Sequence, residues 1–503
     1  MTVPWLTVLG LIPLLGAAVL CFPVKEIAKG LGMAFALITA GVAAGVAALY
    51  TSGADLTVVA PWIPAFGASW ALGLDGMSLL MVLLTVVLVP AVLLAEWKLF
   101  DTGAFRWSAQ VFFALVLALE SLALFVFLAD DVLLFYLFFE ATLIPMYFLI
   151  GGFGGARRSY AAVKFLLFSL AGGLVMLFSV IGLYGESTQQ LGRPSFLVTD
   201  LAGLTFSSGT GMLLMLGFLI AFAIKAPMVP VHTWLPTAAE EGTPGTSVLL
   251  VGVLDKIGTF GMIKFCLALF PDASREAGPV MIVLALISIL YGAVAAIGSK
   301  NLLRLVAYTS VSHFGFMVLG IYTFTTGGMS GTVFYMFNHG FSTAALFLVL
   351  GFLISRRGSA LVESFGGVQK VAPVLAGTTL VAGLSSLALP GMSSFVSEFM
   401  VLAGAWSREP WVAAVAVLGT VLAAVYILLM YQRTMTGPVT DQVREHITTD
   451  LNVRERWVMA PLIAVILALG FVPQVALNVI EPTVVATLNQ ARISDPVVPF
   501  AEK

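Results

Sequence analysis

Apolar stretches of about 20 residues follow one another along almost the whole chain, each long enough to cross the roughly 30 Å of hydrocarbon in a bilayer. Lipid offers no water to an exposed peptide group, so a stretch of this kind persists only as a helix that satisfies its own backbone. About 14 spans are expected on that length criterion. The first lies at 3–22 and the last at 457–478, and spans at 132–152, 161–184, 211–228, 244–270, 302–323, 330–354 and 372–405 lie between them. The fold expected is an all-α polytopic membrane protein. Only 10% of the residues are Asp, Glu, Lys or Arg, against about 25% in a soluble domain. That excludes a soluble enzyme and a disordered chain. A formal net charge of −2, without a basic stripe, excludes a nucleic-acid binder and leaves membrane lipids as the surroundings. Cys21 and Cys266 sit in apolar runs without ligand spacing, so no metal site is expected.

Lys and Arg set the orientation. Fifteen of the 24 follow odd-numbered spans: Lys25, Lys29, Lys98, Arg106, Arg157, Arg158, Lys300, Arg304, Arg356, Arg357, Lys370, Arg433, Arg444, Arg454 and Arg456. Arg193, Arg275, Arg408, Arg492 and Lys503 follow even-numbered ones. Both termini are therefore expected on the non-cytoplasmic side. The first apolar run lacks a basic leader and does not resemble a cleaved signal peptide. The polar excursions around 51–77, 185–210 and 433–456 are short caps, so 1–503 reads as one transmembrane domain.

The informative residues are the ionisable ones inside spans, because a charge at the bilayer centre is costly and normally marks an ion or proton path. Glu140 lies mid-span, too far from either end for a short carboxylate to reach water. Glu120 and Glu140 flank the Asp130-Asp131 hairpin at similar distances, which places them at similar depth and lets them share a proton if they face each other. Lys225 precedes Ala226-Pro227, a sequence that breaks a helix and frees carbonyls within the lysine's reach. Lys256 is near the middle of 244–270 and follows Asp255, though consecutive helical residues point about 100° apart. Lys164 and Lys264 lie nearer span ends and read as anchors that reach the interface. His313 and His339 fall on successive spans beside Ser and Asn residues that can hold water, an arrangement suited to a proton relay near neutral pH. Glu398 comes two turns after Pro390-Gly391, which should break the overlong 372–405 span.

Spans 7 and 12 are thus both interrupted beside an ionisable residue, five spans apart. That layout points to a transporter built from two inverted five-helix repeats, spans 4–8 (108–270) and 9–13 (279–432). Spans 1–3 (1–107) precede them, and the last helix and C-terminal tail (457–503) follow. The sequence contains no phosphate loop, nucleotide fingerprint or cysteine cluster, so energy for pumping has to come from an ion gradient or a partner.

Four runs carry a resemblance: Phe139-Glu140-Ala-Thr-Leu-Ile-Pro145, Lys225-Ala-Pro-Met-Val-Pro-Val-His-Thr-Trp-Leu-Pro236, Arg304-Leu-Val-Ala-Tyr-Thr-Ser-Val-Ser-His313 and Phe395-Val-Ser-Glu398. Over essentially its whole length the chain resembles the antiporter-like subunits of proton-pumping NADH:quinone oxidoreductase, respiratory complex I. Glutamate at 398, where subunits L and N have lysine, and the lack of a long lateral helix make it most similar to the subunit M branch. The resemblance implies a proton path through Glu140, Lys225, Lys256, His313, His339 and Glu398, driven by quinone reduction in partner subunits. It also implies the bacterial cytoplasmic membrane, partner subunits including L and N, and no cofactor in this chain, the FMN, iron–sulfur clusters and quinone belonging to partners. Mrp-type sodium/proton antiporter subunits share the resemblance and are the alternative. Two positions depart from the family pattern. Thr237-Ala238-Ala239 stands where Asp-Ala-His is common, and Asp255 replaces an apolar residue.

Overall fold

The structure, a computed structural model, describes residues 3–22, 24–101 and 107–495; Arg106 and Lys503, counted above, lie outside the described residues. In chain order the elements begin with α1 (Trp5–Val19), α2 (Ala28–Thr51), the hairpin strands β1 (Val58–Ile63) and β2 (Ala68–Leu72), α3 (Gly76–Ala95) and α4 (Ala109–Leu128). Then come α5 (Val132–Ala141), α6 (Leu143–Phe153), α7 (Arg158–Leu191), α8 (Val198–Leu201) and α9 (Ser208–Lys225). They are followed by α10 (Trp234–Glu241), α11 (Pro244–Ser247), α12 (Lys256–Gly261), α13 (Pro271–Gly298), α14 (Leu302–Tyr322) and α15 (Thr326–Arg357). The last are α16 (Pro373–Ser386), α17 (Ser393–Arg408), α18 (Pro410–Met435), α19 (Asp441–His446), α20 (Val453–Phe471) and α21 (Gln474–Gln490).

Ten helices among the described residues are long and apolar enough to cross a membrane, and they coincide with ten of the 14 expected spans. The other four have physical reasons to be irregular. The first, α1, is a shorter helix of 15 residues. The expected span 244–270 alternates between α- and π-helical turns, with π segments at Val248–Leu254 and Met262–Leu267. The expected span 372–405 is two helices, α16 and α17, separated by a turn in which Ala388 (φ +56°) and Gly391 (φ +93°) take left-handed conformations. The last span bends by 72° between α20 and α21 at Pro473.

The chain forms two compact units, Met1–Ala226 with Val253–Ala277 and Pro227–Gly252 with Gly278–Lys503. In the first, α1 packs on α4 through Gly10, whose missing side chain admits the Phe125 ring, and the Ser121 hydroxyl donates to the Gly10 carbonyl (2.7 Å). The β-hairpin was not apparent in the sequence, which reads there as a short cap. Gly67 turns it with φ +71° and lies so close to the Pro194 carbonyl that a Cβ would come within 2.2 Å of it. Asp131 joins the hairpin to α5, its carboxylate accepting from Leu134 N (3.0 Å) at the helix start and from Ser69 N (2.9 Å).

In the second unit α15 is the central helix and is buried over nearly all of its length. It meets α17 through small residues: a Cβ at Gly331 would fall 2.9 Å from Val401 N, and one at Gly404 would fall 2.7 Å from Gly328. At its C-terminal end Arg356 grips Glu455 with two parallel bonds (3.1 and 2.5 Å) and also donates to the Thr449 and Asp450 carbonyls. Glu455 closes a capping box with Asn452 at the start of α20.

Candidate functional site

The first unit gathers four ionisable side chains around the broken end of α9. That helix starts on Ser207, whose hydroxyl accepts from Thr210 N (3.2 Å), and stops at Lys225 because Pro227 disfavours helical geometry at Ala226. Lys225 is 1% exposed, and its Nζ lies over the rings of Phe139 (5.2 Å) and Phe165 (5.7 Å), without a hydrogen-bond partner among the described residues. It does not reach the carbonyls expected to be freed by the break, its Nζ being unbonded, and the Ala226 N–H still donates to the Phe222 carbonyl (2.7 Å). Glu140, near the end of α5, acts on Lys225 through space rather than by direct bonding; its Oε1 is also unbonded. A Cβ at Gly173 of α7 would stand 1.6 Å from that oxygen, so the carboxylate occupies a hollow that only glycine leaves open.

Lys256, the first residue of α12, is fully buried and interacts electrostatically with Asp255, also fully buried. Asp255 interacts with Lys225 as well. Gly258 explains how α12 comes so close: a Cβ there would meet Ala226 N at 2.4 Å and the Phe222 carbonyl at 2.5 Å, so the two backbones are in contact. Lys264, expected to anchor a span end, forms an ion pair with Asp130 (2.6 Å) at the α4–α5 turn. Lys164 is half-buried beside the Tyr160 ring (5.9 Å). Glu120 is buried in α4 with neither oxygen bonded, so no hydrogen bond joins it to Glu140 for a shared proton.

The second unit contains a continuous hydrogen-bonded chain contributed by α14, α15, α17 and α18. Tyr335 stands at its centre. Its hydroxyl donates to Glu398 Oε2 (2.8 Å) and meets His313 Nδ1 at 2.6 Å. With the tyrosine proton committed to the carboxylate, a neutral imidazole donates from Nδ1 and leaves Nε2 as an acceptor facing the Tyr426 hydroxyl (3.5 Å). Thr420 donates to the other Glu398 oxygen, Oε1. His339 stacks edge-on with His313 (5.3 Å between ring centroids) and bonds Thr343 Oγ1 through Nε2 (3.0 Å).

The structure therefore brings Glu140, Lys225 and Lys256 into one cluster and His313, His339 and Glu398 into another. The Ser and Asn residues beside the histidines pin helices together. Asn338 donates to the Ser393 carbonyl (3.0 Å), and Ser312 to the Ile289 carbonyl (2.8 Å). Sequence reasoning missed Tyr335, Tyr426 and Thr420. One signal was present: Tyr335 lies four residues before His339 and so shares its helix face.

Residues 129–423 match the profile of a family described as NADH:quinone oxidoreductase/Mrp antiporter, transmembrane. The NADH-quinone oxidoreductase subunit M of Mycobacterium tuberculosis is 48% identical, over 98% of this chain and 96% of its own. Subunit M of Escherichia coli K12 is 37% identical, over 95% and 96%. A chain of respiratory complex I from Thermus thermophilus superposes with a TM-score of 0.88 at 31% identity, covering 97% of this chain and 99% of that one. A chain of the Mrp complex from Dietzia sp. DQ12-45-1b has the same fold, with a TM-score of 0.86 at 22% identity over 97% and 98%. Matched to that profile over more than half its length, and to relatives named subunit M along nearly all of it, this multi-pass membrane protein belongs to the NADH:quinone oxidoreductase/Mrp antiporter family, in its subunit M branch.

Proposed function

We propose that the chain is a proton-translocating membrane-arm subunit of an NADH:quinone oxidoreductase and that its two ionisable clusters carry the protons. The observation that carries this reading is the unbroken chain His313–Tyr335–Glu398, three groups able to pass a proton along hydrogen bonds in a helix bundle with no other obvious use for them. In the other cluster Glu140 and Lys225 are the switch. While the carboxylate is near, Coulomb attraction holds the ammonium; when the two separate, the lysine releases its proton toward Lys256. Raising one proton against 100 mV takes about 2.3 kcal/mol, which quinone reduction in partner subunits supplies. Flavin, iron–sulfur clusters and quinone belong to other subunits of the complex, and the antiporter-like subunits L and N are partners in the membrane arm. The protein lies in the bacterial cytoplasmic membrane with both termini on the non-cytoplasmic side.

The test is to purify the tagged chain in its native complex, reconstitute it in liposomes, and measure proton uptake per quinone reduced in Glu140→Gln and Lys225→Met. Loss of pumping in assembled complexes is expected. Full pumping by both variants would overturn the assignment, and sodium-dependent exchange by a complex without NADH activity would replace it with the Mrp-type reading.

A further inference from the structure

Asp255 has no part in the relay described above, and its surroundings are unusual. It is fully buried, and neither carboxylate oxygen has a hydrogen-bond partner among the described residues. Asp131 is the contrast: it is just as buried, yet it accepts from Leu134 N and Ser69 N and so serves as a fixed anchor. A buried carboxylate without such donors gives up the stabilisation of water for nothing local, and intramembrane positions of this kind are normally functional. The groups it interacts with are the two lysines, Lys225 and Lys256. Backbone geometry explains the meeting. Gly258 holds α12 against Ala226 N and the Phe222 carbonyl at the end of α9, and Asp255 lies three residues before Gly258 on the same helix face. Lys225 is the residue next to Ala226, while Lys256 is the residue next to Asp255. The carboxylate also sits where the Val248–Leu254 π segment gives way to α12, a kind of irregularity that often accompanies function and can re-aim a side chain.

We propose that Asp255 is a proton-transfer residue that connects Lys225 with Lys256, an inference that rests on the relay reading above. In the first step the Lys225 ammonium gives a proton to the Asp255 carboxylate: an N–H bond breaks, an O–H bond forms, and a neutral amine and a neutral acid remain. In the second step the acid gives that proton to the neutral amine of Lys256, which becomes an ammonium as the carboxylate is restored. One proton has moved between lysines, no electron has, and the total charge of the three groups is unchanged throughout. A carboxylate tied down by backbone donors would resist this alternation; Asp255 has no such ties.

The experiment uses the purified holoenzyme in liposomes and compares Asp255→Asn, Asp255→Glu and Lys225→Met for assembly, quinone reduction and proton uptake. Asp255→Asn keeps the size of the side chain and removes its acidity. It is expected to assemble and to lose about tenfold or more in proton uptake per turnover, equivalent to roughly 1.4 kcal/mol in a barrier. Asp255→Glu is expected to recover most of that loss, which a merely structural role would not produce. Wild-type pumping by Asp255→Asn with pumping lost in Lys225→Met overturns the role of Asp255 and leaves the relay standing. Pumping retained in both defeats the relay itself. If Asp255→Asn does not assemble, infrared difference spectra decide. A carboxylic-acid band that appears when NADH is added to the wild type and shifts in Asp255→Glu supports the transfer role; its absence, or its persistence unshifted in that variant, overturns it.

Discussion

Tyr335 is the residue on which the second cluster depends, and it is the one that sequence reasoning passed over. A glutamate or lysine in an apolar run is conspicuous because the surroundings make its charge expensive. A tyrosine is not, since its ring suits a helix interior and its hydroxyl matters only if a partner stands opposite. Tyr335→Phe keeps the ring and removes the link between His313 and Glu398. Hydrogen bonds to charged groups contribute about 1.5–3 kcal/mol. Proton uptake per turnover should therefore fall about tenfold or more in assembled complexes, as read from a pH-sensitive dye in liposomes. Gly173 was equally unmarked among 49 glycines. Gly173→Ala puts a methyl where the Glu140 carboxylate rests, so the carboxylate has to move and pumping is expected to drop toward that of Glu140→Gln. Pumping at the wild-type level in Gly173→Ala would mean that Glu140 works equally well outside this hollow.

Among the elements, the ten long helices were legible because an apolar stretch of the right length has few alternatives in lipid. The breaks at Lys225-Ala226-Pro227 and Pro390-Gly391 were legible too, since proline removes a donor and crowds the preceding turn. The alternation of π and α turns through Val248–Leu267 was not, because no residue type in that run forbids a regular helix. How closely helices approach was also hidden. Gly331 and Tyr335 share one face of α15, and that face packs on α17 at Ser397 and Val401, the turn that carries Glu398. Gly331→Ala introduces a Cβ 2.7 Å from that of Met400 and pushes the helices apart. A cost of about 1–3 kcal/mol is expected for this overpacking. The solubilised complex should melt at a lower temperature and pump less, because the shift also draws Tyr335 away from Glu398.

For the whole molecule, the orientation expected from where the Lys and Arg residues fall has a direct check. Asp441 is fully exposed at the start of α19, in the polar segment after α18. In a Cys21→Ala background, which leaves Cys266 as the one other cysteine and that one buried, Asp441→Cys is expected to react with a membrane-impermeant maleimide in inverted vesicles and to be protected in intact spheroplasts. The opposite pattern would turn the protein over. The division into two compact units puts Glu140, Lys225, Asp255 and Lys256 in one and His313, Tyr335, His339 and Glu398 in the other.

The sequence by itself determined the membrane fold, the approximate spans, two helix breaks and six ionisable candidates. These depend on hydropathy, chain length and backbone stereochemistry, which act locally and can be read residue by residue. Only the tertiary structure decided which candidates meet, that Tyr335 joins His313 to Glu398, that Lys264 is paired with Asp130, and that Asp255 interacts electrostatically with Lys225 as well as with its chain neighbour Lys256. Those outcomes depend on contacts between helices far apart in the chain, set by where a missing side chain lets two backbones touch. Gly258 against Ala226 is such a place.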